Sequence, residues 1–367
     1  MLGKLIRQIK SHFEPRLATV EPLGKTFEVA SDQTLLQGAL AAGLAFPHHC
    51  TVGTCGNCKC RLKSGDVRSM TDASLTLTPA ELADGYILAC QCLLKSEVTV
   101  AVDLNDDSEA MVPAQYMGTI VATEQLTHDI LKVSVEIDRP MMFRAGQFAD
   151  IALPGFGRHR SYSFANAPVD GGTRQLEFMV RNVAGGEYTQ WLFAQNRIGE
   201  RFELHGPKGS FWLRPAEVPV LCVAGGSGMA PILSVLEDML NKNIERPVAF
   251  FFGARQTHDL YCLQQLESIR QKWPGEFRFI PVLSEEPESS SWTGSRGMVT
   301  EFLNGDYASF DIAASHAYLC GPPPMIDAAL ARLQSCGLGI EYTHYDKFLD
   351  SRQLEVAENG CPFGTVV

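Results

Sequence analysis

The chain has 367 residues, of which 45% are hydrophobic and 20% are charged, a balance that is typical of globular proteins and excludes disorder throughout. Its formal net charge of −11 argues against nucleic-acid binding, because such binding depends on basic side chains that neutralise phosphates. No apolar run reaches the roughly 18 residues that a membrane-spanning helix needs, and at about 100–200 residues per domain the length predicts two to four domains.

Residues 1–20 are predicted to be an N-terminal extension. Lys4, Arg7 and Lys10 are interleaved with leucine and isoleucine, a spacing that predicts a short amphipathic helix. Its apolar run is too interrupted for a secretory signal, so we expect a cytoplasmic protein. We expect the helix to pack on the protein itself, and a weak peripheral contact with a membrane is the alternative.

Residues 21–105 are predicted to form the first domain. It opens with strand-like alternation over Thr26–Ala30, continues with a helix that ends at Gly43, and then has a loop rich in cysteine and glycine at 50–60. A β-prone stretch, VTVAVDL, closes it. The acidic residues that follow predict a linker at 106–112.

The rest of the chain divides into two parts that differ in their predicted secondary structure. Residues 113–215 hold short β-type runs separated by turn-forming residues, which predicts a small antiparallel barrel. In residues 216–345 strands alternate with helices, which predicts a doubly wound parallel sheet. Residues 346–367 show no clear pattern and are predicted to be a C-terminal tail. The fold class is therefore multidomain, with α+β and α/β parts.

The cysteine loop carries the most specific motif. Six of the eleven cysteines lie between Cys50 and Cys92, and the odd total fits poorly with a disulfide framework. Cys50, Cys55 and Cys58 have the C-x4-C-x2-C spacing of a plant-type [2Fe–2S] site. The loop must coil tightly to bring three thiolates to two irons, and glycines within it allow the required backbone angles.

The fourth ligand is left open by the spacing. Cys90 and Cys92 both follow at a suitable distance, and the one that is not a ligand becomes a spare core thiol, as does Cys60. Zinc is the rival interpretation because His48 and His49 adjoin the loop, although zinc sites usually pair two C-x2-C units.

Two further segments predict nucleotide binding. Arg160-Ser161-Tyr162-Ser163 ends a β-prone run, and a glycine turn, Gly185-Gly186, precedes a helical pattern that begins with Tyr188 and Thr189. A helix N-terminus with small residues binds phosphate, and an arginine balances the charge of a pyrophosphate. The pattern suits a flavin dinucleotide, and a strand with an exposed arginine is the plain alternative.

The third segment has two glycine turns, each between a strand and a helix. The first contains Gly225, Gly226 and Gly228, and the second contains Cys320, Gly321 and Pro322. At the carboxyl ends of parallel strands such turns flank one crevice, where a dinucleotide pyrophosphate binds. Structural loops of a doubly wound fold are the alternative.

Together and in this order, the cysteine loop, RSYS, GGSGMAP and CGPPPM resemble the motifs of the ferredoxin–NAD(P)H oxidoreductase superfamily. More narrowly, the chain resembles the three-domain reductase components of bacterial oxygenases, such as those of phenol hydroxylase, methane monooxygenase and benzoate dioxygenase. The resemblance covers about residues 21–350. It implies a β-grasp [2Fe–2S] ferredoxin domain, a six-stranded FAD barrel and an NAD domain.

The resemblance also implies roles for single residues. Cys90, in the segment LACQ, becomes the fourth cluster ligand beside Cys50, Cys55 and Cys58. Arg160 maps to the FAD phosphate, Tyr162 to the isoalloxazine face, Ser163 to flavin N5 and Thr189 to a hydroxyl donor at the pyrophosphate. The remaining expected cofactor contacts are Ser161, Val180, Gly186, Tyr188, Gly225, Gly226, Gly228, Arg255, Gly321 and Pro322. Cys320 maps beside the nicotinamide, and Asp346-Lys347-Phe348 is the closest match to the family's acidic-basic-Phe stretch, which makes Ser163, Cys320 and Phe348 the catalytic candidates.

The donor is expected to be NADH. Selection of NADPH needs cations near the 2′-phosphate, whereas Glu285 and Glu286 follow the third strand of the NAD segment. Carboxylates there would repel that phosphate.

The expected function is transfer of electrons from NADH through FAD and a [2Fe–2S] cluster to a separate oxygenase, hydroxylase or desaturase. The cofactors would supply the chemistry and the protein the positioning. A stand-alone reductase for a small molecule or a dehydratase system is one alternative, and a redox sensor is another, which lacks support because the chain has no DNA-binding motif.

Overall fold

The computed structural model describes residues 15–44, 46–48, 53, 56–102, 113–153, 155–156 and 159–348. The chain divides into two compact units. The described residues of the first unit lie within 15–102, and those of the second lie within 113–348.

The first unit is a mixed five-stranded sheet of order β2-β1-β7-β3-β5 with a helix packed on it, which confirms the predicted β-grasp fold. A two-stranded sheet pairs β4 with β6. The strands are β1 (Arg16–Glu21), β2 (Lys25–Val29), β3 (Lys59–Ser64), β4 (Val67–Ser69), β5 (Tyr86–Leu88), β6 (Cys92–Leu94) and β7 (Val98–Ala101). The helices are α1 (Leu35–Ala41) and α2 (Pro79–Ala83).

Strand β1 begins inside the segment that the sequence analysis assigned to the N-terminal extension. Ala18 and Val20 are 0% exposed, and β1 pairs in parallel with β7. The sheet therefore includes residues before 21, because alternate apolar side chains from Ala18 onward are needed to complete its core.

The barrel of the second unit is an antiparallel six-stranded sheet of order β11-β10-β13-β8-β9-β12, as predicted. Its strands are β8 (Ala114–Gln125), β9 (Ile130–Met141), β10 (Phe148–Ala152), β11 (Arg160–Ser163), β12 (Thr173–Arg181) and β13 (Arg201–Lys208). The helix α3 (Glu187–Ala194) follows the glycine turn that the sequence predicted to precede a helix.

A parallel six-stranded sheet of order β17-β16-β15-β14-β18-β19 forms the rest of the second unit. Its strands are β14 (Val220–Gly225), β15 (Val248–Ala254), β16 (Phe277–Leu283), β17 (Ser295–Arg296), β18 (His316–Gly321) and β19 (Thr343–Lys347). Its helices are α4 (Met229–Asn241), α5 (Leu263–Lys272), α6 (Gly305–Ala308) and α7 (Pro323–Ser335).

Strand β19 crosses the predicted start of the C-terminal tail at residue 346. It pairs in parallel with β18, and Cys320 is opposite Asp346 in the register. The acidic-basic-Phe stretch therefore belongs to the sheet edge, because hydrogen bonding to β18 continues through Lys347.

The barrel and the parallel sheet share one apolar core. Met179 and Phe211 from the barrel side cluster with Val220, Phe250 and Tyr318 from the sheet. Burial of apolar surface common to both parts explains why they form a single compact unit.

Candidate redox-cofactor sites

Two glycines of the cysteine loop have the backbone angles that the sequence predicts for them. Gly53 and Gly56 have φ of +86° and +74°, a left-handed region that favours glycine. A Cβ on Gly53 would lie 2.7 Å from Cγ of Gln91, and the Thr76 hydroxyl donates to the carbonyl of Gly53 at 2.6 Å. The predicted ligands Cys50 and Cys55 lie outside the described residues.

Cys58 and Cys90 come together although 32 positions separate them. The backbone N–H of Cys90 donates to Sγ of Cys58 at 3.5 Å, and Nε2 of Gln91 donates to Sγ of Cys90 at 3.7 Å. Hydrogen bonds to thiolate sulfur are characteristic of iron–sulfur sites, where they tune the reduction potential. This donor set fits a cluster.

Cys60 and Cys92 differ from this pair. Burial raises the pKa of the Cys92 thiol to about 12, with a further contribution from Cys90. Burial, followed by the charges of Cys92 and Cys90, raises the pKa of Cys60 well above its usual value. Both behave as protonated apolar side chains in the core.

Lys59, next to Cys58, forms a buried ion pair with Glu81. Lys59 Nζ lies 2.5 Å from Glu81 Oε1, and the Glu81 side chain is 0% exposed. Burial opposes ionisation of Glu81, but Lys59 and the hydrogen bonds of Thr78 outweigh it, so its pKa is lowered. The same carboxylate completes the capping box that begins α2. The pair ties the strand after the cluster loop to α2.

The RSYS segment is strand β11, at the edge of the barrel. Pairing with β10 places Ser161 opposite Asp150, and the Ser161 hydroxyl donates to Asp150 Oδ1 at 2.6 Å. Lys208 Nζ binds the other oxygen of Asp150 at 2.6 Å. Because side chains alternate along a strand, Arg160 and Tyr162 share the opposite face. Ser163, at the end of β11, is 8% exposed.

Aromatic side chains gather beside β11. The ring of Tyr162 lies 5.4 Å from that of Tyr188, and Trp191 and Phe156 lie 6.4 Å and 6.5 Å from Tyr188. Burial raises the pKa of Tyr162 well above its usual value. Phe156 and Trp191 are not among the residues predicted from the sequence, although Trp191 follows Tyr188 at the helical spacing of three. The cluster offers the flat apolar surface that a flavin ring requires.

Two predicted flavin contacts point into the protein. The Thr189 hydroxyl accepts from Val183 N–H at 3.1 Å and contacts the Gly186 carbonyl at 3.1 Å, so it holds the glycine turn closed. The Val180 side chain is 1% exposed in the barrel core. A Cβ on Gly186 would lie 2.8 Å from Thr189 Oγ1, which explains the glycine before α3.

The first glycine turn of the parallel sheet leaves no space for side chains. A Cβ on Gly228 would lie 2.2 Å from the Cys320 carbonyl oxygen, and one on Gly225 would lie 2.7 Å from Met325 Sδ. Gly226 has φ +55°. The two glycine turns are thus in contact at the carboxyl ends of β14 and β18, where dinucleotides bind in doubly wound sheets.

A cavity of about 200 Å³ opens at this point; we call it the nucleotide crevice. It is lined by Asp129, Arg181, Gly225, Gly226, Phe252, Arg255, Asp259, Ser284, Met298 and Pro322, among others. Of the predicted nucleotide contacts, Gly225, Gly226, Arg255 and Pro322 line it. The crevice and the steric cradle of the glycines fit a dinucleotide.

The barrel contributes an arginine that the sequence analysis missed. Arg181 ends β12, and its Nη1 lies 3.2 Å from the position of a Cβ on Gly226. Arg181 Nε donates to Asp129 Oδ2 at 3.0 Å, and Arg255 Nη2 lies 3.5 Å from the same oxygen. Burial opposes ionisation of Asp129, but Arg181, the Thr127 hydroxyl and His128 outweigh it and lower its pKa. The mouth of the crevice therefore carries two guanidinium groups, which pair with Asp129 and Asp259, and guanidinium groups are the usual partners of a pyrophosphate.

Cys320 is 0% exposed, and burial, followed by the charge of Asp346, raises its pKa well above the usual value. Burial also raises the pKa of Asp346 to about 7. The backbone N–H of Phe348 donates to the Gly321 carbonyl at 2.9 Å, and Lys347 pairs with Asp327 at 2.7 Å. The neutral thiol suits a positioning role rather than a nucleophilic one.

Glu286 follows Ser284, a residue of the crevice lining, by two positions. Its carboxylate accepts from the Thr257 backbone N–H at 2.8 Å, and this hydrogen bond lowers its pKa. Arg296, on β17, donates to Ser290 at 3.0 Å. The loop after β16 therefore holds an ionised carboxylate in a defined place.

Among the described residues, no helix is long and apolar enough to cross a membrane.

Three family models match the chain in succession. They are a 2Fe-2S iron-sulfur cluster binding domain over residues 18–95, an oxidoreductase FAD-binding domain over 117–212 and an oxidoreductase NAD-binding domain over 222–330. The predicted cofactor classes are confirmed.

Relatives match over nearly the whole length. The xylene/toluene monooxygenase electron transfer component of Pseudomonas putida is 40% identical, over 95% of this chain and 98% of the relative. The phenol hydroxylase P5 protein of Acinetobacter pittii is 32% identical, over 91% and 94%.

Solved structures agree. A cytochrome P450 reductase from Amycolatopsis gives a TM-score of 0.69 at 31% identity, covering 91% of this chain and 98% of that one. The ferredoxin reductase of carbazole 1,9a-dioxygenase gives 0.64 at 29% identity, covering 92% and 99%. With a cluster domain, a flavin barrel and a nucleotide crevice in one chain, and with relatives of this kind along its full length, the protein belongs to the family of NAD-dependent electron-transfer reductase components that serve separate oxygenases.

Proposed function

We propose that this reductase takes its electrons from NADH and delivers them to a separate hydroxylase, with the residue roles given below. The close approach of the two glycine turns carries the proposal, because they meet at the carboxyl ends of β14 and β18, where dinucleotides bind in doubly wound sheets. A bound FAD would supply the hydride acceptor for the nicotinamide and the single-electron donor for the [2Fe–2S] cluster. The chain itself positions the groups and excludes water.

The proposed cluster ligands are Cys50, Cys55, Cys58 and Cys90. The hydrogen bonds from Cys90 N–H to the Cys58 sulfur and from Gln91 to the Cys90 sulfur support Cys90 over Cys92. Gln91, which donates to the Cys90 sulfur, also belongs to the proposed cluster site.

The proposed flavin site uses the face of β11 that carries Arg160 and Tyr162, together with Ser163 at the end of the strand. Arg160 binds phosphate, Tyr162 packs on the ring together with Tyr188, and Ser163 donates towards N5. Ser161 acts indirectly, because its hydroxyl is bound to Asp150. The backbone N–H groups after Gly186 face the pyrophosphate, while Thr189 holds their turn in shape.

In the proposed nucleotide site, the turn from Gly225 to Gly228 receives the pyrophosphate, and Arg181 and Arg255 balance its charge. Cys320, Gly321 and Pro322 form the floor beside the nicotinamide. Phe348, which is anchored to Gly321 through its backbone, flanks the flavin.

Preference for NADH follows from the loop after β16. The Thr257 N–H holds the ionised Glu286 two residues after Ser284, which lines the crevice, and an additional phosphate on the ribose would meet its negative charge. In this loop and the strand that follows it, only Arg296 has a positive charge that could offset the repulsion, and Arg296 donates to Ser290.

We assign the domains as 21–105, 113–215 and 216–345, joined by a linker at 106–112, with the first domain extended to Arg16 and the last to Phe348 by strands β1 and β19. A cytoplasmic location is proposed, because the buried thiols stay reduced there. The basic, apolar extension supports a weak membrane contact, which co-sedimentation with anionic vesicles tests: retention of the chain in the supernatant would refute it.

The electron route is tested by steady-state reduction of cytochrome c with the chain loaded with FAD and cluster, and with no organic substrate present. We expect NADH to support the reaction with a kcat/KM at least about tenfold that of NADPH, as ~1.4 kcal/mol of differential repulsion would give. No reduction with either nucleotide would refute the route, and equal use of both would refute the assignment of NADH.

A further inference from the structure

We propose that His128, His258 and Asp259 form a binding site for one divalent transition-metal ion, with Zn²⁺ as the best fit. The three side chains come from two parts of the second unit. His128 lies in the hairpin turn between β8 and β9 of the barrel, and His258 and Asp259 lie in the 3₁₀ turn Thr257–Asp259 that follows β15 of the parallel sheet.

The distances match a tetrahedral metal site. His128 Nδ1 lies 3.4 Å and His258 Nε2 lies 3.6 Å from Asp259 Oδ1, and all three ligand atoms are within 4.8 Å of one another. Ligands at about 2.0–2.1 Å from zinc are separated by about 3.4 Å along the edges of a tetrahedron. Small side-chain rotations therefore suffice to bring the three atoms around one ion.

One oxygen of the Asp259 carboxylate can accept a cation. Asp259 Oδ2 accepts from the Gln256 N–H at 3.0 Å, whereas the buried Oδ1 accepts no hydrogen bond from any described residue. Leaving such an oxygen unsatisfied costs free energy, which a bound cation would offset.

A second carboxylate lies near the other nitrogen of one imidazole. Nε2 of His128 is 4.0 Å from Asp129 Oδ2, which is beyond hydrogen-bond distance. Histidines that bind metals usually have a carboxylate at their second nitrogen, which fixes the tautomer and strengthens the ligand. The imidazoles are half exposed, so an ion can reach them from solvent.

The ligand set indicates the kind of ion. Two imidazoles and one carboxylate suit Zn²⁺, with water in the fourth position, whereas Mg²⁺ and Ca²⁺ require mostly oxygen ligands. Because the site joins the barrel hairpin to the turn after β15, a bound ion clamps the two parts of the second unit at the rim of the nucleotide crevice.

The test is calorimetric titration of Zn²⁺ into the full chain carrying FAD and cluster. We expect the wild type to bind one more Zn²⁺ per chain than the double variant His128→Ala/His258→Ala, which keeps every cysteine, so that zinc bound at thiols is the same in both. Each single variant should weaken this binding by at least about tenfold. His205→Ala, a histidine elsewhere in the barrel, should bind as the wild type does.

A second measurement separates binding from folding. Zn²⁺ should raise the thermal midpoint of the wild type but not of the double variant, and Mg²⁺ should raise neither. Equal zinc stoichiometry and affinity in wild type and double variant would overturn the proposal, as would a response to Mg²⁺ equal to that to Zn²⁺. Asp259→Asn, which keeps an acceptor for Gln256 N–H, should lose the site while circular dichroism stays unchanged.

Discussion

The backbone N–H of Cys90 donates to Sγ of Cys58 across 3.5 Å, which brings together two cysteines that are far apart in the chain. Cys92 is only two residues further on and is buried as well, but Gln91 Nε2 donates to the sulfur of Cys90, the kind of hydrogen bond that iron–sulfur sites use. The choice between these two neighbours can be tested directly.

Cys90→Ser should abolish the cluster, whereas Cys92→Ser should retain it. Iron and acid-labile sulfide content, with the spectrum of the reduced cluster, measure this. Cys60→Ser serves as the control, because Cys60 is also a buried thiol near the loop. Loss of the cluster in Cys92→Ser together with full content in Cys90→Ser would show that the ligand assignment is wrong.

Gly228→Ala should impair nucleotide binding. The new Cβ would lie 2.2 Å from the Cys320 carbonyl oxygen, so one of the two glycine turns must move. We expect KM for NADH to rise at least about tenfold, which corresponds to ~1.4 kcal/mol, with FAD content unchanged. Gly305→Ala, at the start of α6, is the control. Unchanged KM would mean that the crevice tolerates the displacement.

Arg181→Ala should also raise KM for NADH, by about tenfold, because a charged contact at the crevice mouth contributes roughly 1.5–3 kcal/mol. The matched control is Arg174→Ala on the same strand, whose arginine is exposed and pairs with Glu136. Stopped-flow measurement of flavin reduction against NADH concentration distinguishes weaker binding from slower hydride transfer. An equal KM in both variants would contradict the role of Arg181.

Lys59→Met should destabilise the first unit by roughly 3 kcal/mol, because it leaves Glu81 buried without its partner. Arg61→Met is the control. The ion pair of Arg61 with Asp84 is about 40% exposed, so its loss should lower the free energy of unfolding by less than ~1 kcal/mol. Denaturant unfolding, monitored through the visible absorption of the cluster, measures both. Similar losses in the two variants would contradict the importance of burial.

The same pair predicts a pH dependence. The pKa of Glu81 is lowered on folding, so its stabilisation is present above the unfolded pKa of about 4.3 and is lost as the pH falls. In Lys59→Met the buried carboxylate is costly at neutral pH and is relieved by protonation. The stability difference between wild type and Lys59→Met should therefore shrink on acidification. A difference that stays constant between pH 7 and 4 would refute this account.

Asp346 predicts the opposite trend. Burial raises the pKa of Asp346 to about 7 in the folded protein, above the unfolded value of about 3.9. The stability that protonated Asp346 contributes is therefore fully present below pH ~3.9 and is lost as the pH rises through about 7. Asp346→Asn should lose less thermal stability than the wild type between pH 5 and 8. Asp327→Asn, at an exposed carboxylate nearby, should follow the wild type. Parallel curves for wild type and Asp346→Asn would exclude a buried, titrating Asp346.

Several predictions from the sequence concern the backbone conformation of a few neighbouring residues. The left-handed backbone at Gly53 and Gly56 is confirmed, because a loop that turns three thiols inward needs residues without a Cβ. The two glycine turns at the crevice were predicted for the same reason. By contrast, the resemblance implies that Thr189 faces the pyrophosphate, but its hydroxyl bonds to the Val183 N–H and the Gly186 carbonyl and so closes its own turn.

The sequence by itself determined the order of three cofactor domains and the residues that bind through local motifs, since cysteine spacing and glycine turns carry their geometry within a few residues. Only the tertiary structure decided which distant groups meet them. Arg181 reaches Asp129 across 52 positions because β12 pairs with β9, and Asp259 meets His128 because the sheet packs on the barrel. Long-range electrostatic contacts follow from strand pairing and packing, which no short stretch of sequence encodes.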